Sequence, residues 1–299
     1  MKIRMNPIVK KDLQVTARSM KLSWGLFAYE AVLTCAFLLA LVIIQVENRS
    51  IYSDNIYGQL VYLFPVLAVA QLCIVALIMP ILTASSISGE KERQTFDIML
   101  TTCMSPMSIV IGKVTAAVIR ILFFVLASFP IMALAFVAGG LGWENLLWFL
   151  LALTMLAVFS GSIGIFCSAI CNKAIAAVIL SFVFYFVIYA GTCLPMIIHL
   201  LVSDGKFGES LLFLLFNPFL FFIEFFTNMM TGRTLLQEAR FSTKDVGALT
   251  YALTRGKAWM VVSVICILAL SLLFMWGAAW KVNPLHSSGG RKPVKKKGD

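Results

Sequence analysis

Few residues of this chain could do chemistry, and their spacing excludes most of it. Histidine occurs at His199 and His286 only, and neither belongs to an H-E-x-x-H pair. No G-x-S-x-G serine exists either, so metallohydrolase and serine-hydrolase chemistry both lack their parts. Cys167 and Cys171 are four apart on one helical face, but no His or carboxylate joins them at ligand spacing, so no metal site is expected. Gly112-Lys113 is followed by Val114 and lacks the upstream Gly of a phosphate-binding loop. The chain therefore has no means of cradling ATP, and no nucleophile-base pair for an intramembrane enzyme.

What it does carry is charge in unusual places. Between two long apolar runs lies SGEKERQTFDIMLTTCMSPMSIVIGK, residues 88–113. A helix opening at Gly89 sets Phe96, Met99, Leu100 and Cys103 on one face and Glu90, Arg93, Gln94, Asp97 and Thr101 on the other, the amphipathic period of 3.6. Ser88 and Gly89, with Glu90 and Glu92 in the first turn, mark its start, because carboxylates suit the positive end of a helix. The expected element is a surface helix over 88–104 whose polar face docks a partner; its plainer reading is a helix resting on lipid headgroups. Ser105-Pro106 then starts the next helix. Inside apolar runs stand Glu30 and Arg120, each costing about 2.5–3.5 kcal/mol if isolated at a helix centre. They are expected to pair or to line one polar cavity; otherwise Arg120 snorkels to headgroups and Glu30 meets water. Phe182, Tyr185 and Tyr189 form an aromatic stripe, read either as core or lipid-facing packing or as the lining of a substrate path.

Membrane-spanning helices must hold these residues. Hydrophobic residues make up 61% of the chain and charged ones 13%, against about 45–50% and about 25% in soluble domains. The fold class is all-α and polytopic. Six apolar runs can cross the hydrocarbon: about 24–46, 59–82, 109–138, 144–171, 174–201 and 258–280. Six Lys/Arg precede the first and six follow Trp280, while Lys91, Arg93, Lys113 and Lys173 fall on the same side of the alternation. Both termini and the charged island are therefore expected in the cytoplasm. Residues 1–23 read as an interfacial elbow helix, with Asn6-Pro7 at its start and Lys10, Lys11, Gln14, Arg18 and Lys21 on its polar face. Ser160, Gly164 and Ser168 recur every four residues, the spacing of close helix packing rather than of a catalytic serine. Pro130 and Pro195 should bend their helices. Within residues 202–257, the run Leu211–Phe226 is broken by Asn217-Pro218 and carries Glu224, and a seventh span would put the basic tail outside. An external re-entrant hairpin fits better. Residues 281–299 form a basic cytoplasmic tail. The net charge of +10 sits mostly at the two ends and points to a lipid surface, not to nucleic acid.

The island resembles the type-2 permeases of ABC transporters. They carry an acidic residue, a Gly-Thr pair, an acidic-apolar run, Thr-Pro-x-Ser and a Gly-Lys. Here these read Glu90, Gln94-Thr95, Phe96-Asp97-Ile98-Met99-Leu100, Thr102-Cys103-Met104-Ser105 and Gly112-Lys113, with Gln94 in place of the Gly and Cys103 in place of the Pro. Asn6 to Leu13 is similar to the family's elbow helix, and Asn217-Pro218-Phe219 to a feature of its external re-entrant helices. The resemblance implies a coupling helix that sets Glu90, Arg93, Gln94, Phe96, Asp97 and Leu100 against an ABC ATPase subunit. It also implies a second, identical or homologous permease copy, ATP and Mg bound by the ATPase and none by this chain, and a multi-pass protein of a bacterial cell membrane. The expected function is ATP-driven export by alternating access. The alternative is a non-transporting scaffold or sensor that binds a cytoplasmic partner through the same helix.

Overall fold

The computed structural model describes residues 9, 10, 12, 14, 19–50, 60–96, 105–140, 142–202, 208–238, 246–254 and 257–283. Every regular element among them is helical. In chain order these are α1 (Met20–Ser50), α2 (Leu63–Glu92), α3 (Pro106–Ala127), α4 (Phe129–Ala138), α5 (Trp143–Ile170) and α6 (Ala174–Val202), then a 3-10 helix (Gly208–Phe216). There follow α7 (Pro218–Thr231), α8 (Leu235–Glu238), α9 (Ala248–Thr254) and α10 (Ala258–Val282). The helices α1, α2, α3, α5, α6 and α10 are long and apolar enough to cross a membrane, matching the six expected spans.

Their boundaries differ from the sequence reading in physically informative ways. The first long helix begins at Met20, inside the stretch assigned to the elbow. Of that elbow the described residues are few: Val9 is buried while Lys10 and Gln14 are exposed, as one apolar and one polar face require. The second span runs unbroken from Leu63 to Glu92 instead of stopping near residue 82. Its polar stretch can stay helical because the hydroxyls bond back to carbonyls of the preceding turn: Thr83 donates to Met79 O (2.8 Å), Ser86 to Thr83 O (2.7 Å) and Ser88 to Ala84 O (2.6 Å). The third apolar run, read as one span over 109–138, is two helices. Ser128 separates them and turns its hydroxyl onto Val125 O (2.9 Å), and Pro130, which has no N–H to give, sits in the first turn of α4.

The helix α5 occupies the middle of the bundle. Of its most apolar stretch 72% is buried, against 17% in α1 and in α6, which present most of their surface outward. A helix apolar on every side belongs in a core. Its small residues let α2 approach closely: a Cβ at Gly164 would lie 2.0 Å from Thr83 Oγ1 and 3.1 Å from Pro80 O. The Ser160–Gly164–Ser168 face thus packs against another span, as its spacing predicts.

At the opposite end of the bundle, the 3-10 helix and α7 meet at 95°. Asn217 makes that corner: its side-chain oxygen caps Phe219 N (3.0 Å), and its Nδ2 donates to Thr192 Oγ1 (2.9 Å) and Tyr189 O (3.2 Å) of α6. A second small core of Leu211, Leu214, Leu215, Leu236, Val246 and Trp259 ties the bent pair to α8 and α10.

Candidate functional site

The charged island is built on the end of α2, not on a helix of its own. Ser88 and Gly89, expected to open a new helix, lie inside α2, so the coupling-helix boundary at residue 88 is corrected. The helix stops at Arg93 through a paired set of C-terminal bonds: Gln94 N–H donates to Lys91 O (3.1 Å) and Thr95 N–H to Glu90 O (3.0 Å). This is the Schellman arrangement, whose turning residue adopts the left-handed conformation that glycine takes most readily. Gln94 is that residue, at φ 59°, the only non-glycine with positive φ among the described residues. The Gly of the resembling Gly-Thr pair therefore corresponds to a helix stop, which a glutamine conceals in the sequence.

Three consecutive charges on this helix end each reach a different neighbour. Glu90 accepts from Lys113 Nζ of α3 at 2.6 Å, and Asp12 of the N-terminal segment stands 3.5 Å from the same ammonium. The Lys113 side chain is only 8% exposed, while the two carboxylates keep more than a quarter of their surface. Lys91 Nζ donates to Ala169 O (2.5 Å) and Cys171 O (3.4 Å), the open carbonyls at the C-terminal end of α5, where a cation suits the helix dipole. Glu92 accepts from Ala174 N (3.3 Å), the first amide of α6, where an anion suits it. One turn earlier, Ser168 Oγ of α5 accepts from Ile87 N (3.0 Å) and Ser88 N (2.9 Å).

Beyond this end, Arg93, Gln94 and Thr95 are exposed, and Phe96 folds back onto the core beneath Lys91, 5.7 Å from ammonium to ring centroid. Residues 97–104 lie outside the described residues, and with them Asp97 and Leu100. The chain re-enters the bundle where expected. Ser105 caps α3 by accepting from Ser108 N (3.3 Å), with Pro106 in the first turn. Of the six island residues predicted to face a partner, the structure thus turns Glu90 to Lys113 and leaves Arg93 and Gln94 open. Lys91, Glu92, Lys113 and Asp12 were not among the residues predicted to form the site. The sequence signal for their pairing is that each charge lies within reach of a span's end.

The expected Glu30–Arg120 pair is not among the described ion pairs, both of which belong to Lys113. Glu30 is half-buried on α1, and Arg120, half-buried two turns beyond Lys113 on α3, interacts electrostatically with Asp12. The aromatic stripe holds together: Tyr185 stacks on Tyr189 (5.8 Å, 11°) and meets Phe182 at 6.4 Å. Tyr185 is buried and packs edge-on to Phe159 of α5, so this part of the stripe is core.

An all-helical bundle with six membrane-length helices is the architecture of a multi-pass membrane protein. The chain belongs to the ABC-2 family of transporter proteins, whose model matches residues 7–276. It is a transmembrane permease subunit of an ABC transporter; the family supplies the membrane component, associates with an ABC ATPase and dimerises. No curated protein matches the chain.

Proposed function

We propose that this protein is the membrane half of an ABC exporter, in which two permease copies form a path that ATP-driven closure of partner ATPases opens alternately to each side. In this reading the end of the bundle carrying Lys91 and Lys113 is cytoplasmic, in keeping with its Lys/Arg excess. The segment from Arg93 to Ser105 docks on the ATPase through Arg93, Gln94, Phe96, Asp97 and Leu100, while Glu90 serves the fold. ATP and Mg are held by the ATPase. The bent pair of the 3-10 helix and α7 is an external re-entrant hairpin, and Tyr189 with Phe182 borders the path. The membrane is that of a bacterial cell, whose anionic lipids meet the basic ends.

One observation carries the proposal. A continuous thirty-residue helix ends in an exposed, charged turn braced by three other spans, the arrangement a lever needs at the point where force is applied. Purification of the full chain from its native membrane should bring down an ABC ATPase. Screening that complex in lipid discs should then find compounds that stimulate ATP turnover and accumulate in proteoliposomes only with ATP. An ATPase that co-purifies but responds to no transported compound would favour the scaffold or sensor, and absence of any ATPase would overturn the exporter.

A further inference from the structure

We propose that Glu90, Lys91 and Glu92 form a distribution node. Through it, displacement of the segment beyond Arg93 is passed to α3, α5 and α6 at once, with Lys91 and Glu92 as its positioning residues. The inference rests on the docking role given to that segment above. It concerns what happens after docking.

A push on the end of a helix moves only what that end is attached to. The end of α2 is attached at three places by three adjacent side chains. Glu90 holds the buried Lys113 of α3 (2.6 Å), Lys91 holds Ala169 O and Cys171 O at the close of α5, and Glu92 holds Ala174 N at the opening of α6. The α5–α6 junction, residues 171–173, is therefore gripped from both sides by one short stretch of α2. Each grip is matched in sign, cation on the carbonyl end and anion on the amide end. Ser168 adds two backbone bonds from Ile87 and Ser88, so the last turns of α2 and α5 are bonded as well as packed. The second grip on Lys113, by Asp12 at 3.5 Å, extends the attachment to the N-terminal segment. A solvated surface face would leave these charges to water. Here Glu90 and Lys91 are half-buried and Glu92 and Arg93 exposed, yet the three before Arg93 all bond to neighbouring spans.

The test uses the full chain with its co-purified ATPase in lipid discs, with its cysteines replaced and a single reporter introduced by Lys173→Cys, an exposed position in the gripped junction. The rate of maleimide modification is measured with and without ATP plus vanadate. The expected result is a several-fold nucleotide-dependent change in the parent. That change should be lost in Lys91→Met/Glu92→Met, although the ATPase still co-elutes in the same proportion. Glu92→Met alone, which removes the acceptor of the Ala174 N bond at the surface, should lose part of the change and guards against a misfolded double variant. Lys91→Arg, which keeps a donor for the two carbonyls, should restore it. A full response in the double variant would overturn the node, as would an unresponsive reporter in a parent that does carry its ATPase. Loss of the ATPase from the variants alone would make these residues docking contacts, and would overturn it too. If the parent itself carries no ATPase, the transporter reading fails first.

Discussion

Gln94 holds a conformation that its side chain disfavours. At φ 59° the left-handed backbone brings Cβ against the following carbonyl, at roughly 1–2 kcal/mol for a residue other than Gly. Gln94→Gly should therefore raise the melting temperature by about 2–4 °C, read by thermal unfolding in detergent. A lower value would mean that the Gln94 side chain makes a contact worth more than the strain. Lys113 poses the opposite case, a buried cation with two carboxylates. Glu90→Gln leaves that ammonium one carboxylate, Asp12 at 3.5 Å, beside a neutral amide oxygen, and should cost on the order of 1–3 kcal/mol. Adding Lys113→Met removes the stranded charge and should recover part of the loss, since an apolar replacement needs no partner. Losses that simply add in the double variant would show that the two side chains do not depend on each other.

Two glycines separate the roles of the long helices. Gly89 lies inside α2 with open space where a Cβ would go, so Gly89→Ala should stabilise the protein by roughly 0.5–1 kcal/mol. Were Gly89 instead the opening residue of a separate surface helix, as the local pattern suggests, alanine would be a poor cap and the same change would destabilise. Gly164 is the reverse. Its added Cβ would meet Thr83 Oγ1, which is bonded to Met79 O, and the fixed carbonyl of Pro80 at 3.1 Å. Gly164→Ala should force α2 and α5 apart at a cost of about 1–3 kcal/mol. Gly161→Ala meets the flexible end of Met79 at 2.9 Å, with Val114 Cγ1 and Thr83 Cγ2 at ordinary contact distances of 3.4 and 3.5 Å, and should be milder. Equal losses at the two positions would mean that the seam is not set by the fixed backbone. The amphipathic pattern over 88–104 misled because Glu90 and Arg93 share a face whether that face meets solvent or neighbouring helices. By contrast, Ser105-Pro106 and Asn217-Pro218 were legible because capping acts within a few residues.

At the scale of the molecule, sidedness can be read at two exposed positions. Val202 closes α6 and Arg233 follows α7; both are exposed, and the bent pair lies between them. If the pair is re-entrant, cysteines placed singly at the two positions in a cysteine-free chain should both react with an impermeant thiol reagent from outside. Labelling from opposite sides would make the pair a seventh span and put the basic tail outside. The outward-facing α1 and α6 leave broad apolar surface on the outside of the bundle.

By itself the sequence determined the helical class, the six spans, the corner at Asn217 and the small-residue face of α5. Each of these depends on apolar length, on a 3.6-residue period or on a cap, all of which act over one or two turns. Only the tertiary structure decided where α2 ends and what its last charges hold. Glu90 finds Lys113 across 23 positions, and Lys91 and Glu92 find the α5–α6 junction across 78 to 82. A charge carries no record of its partner in its own neighbourhood. Its partner is chosen when the packing of α2 against α5 brings the ends of the spans together, and that packing is a property of surfaces far apart in the chain.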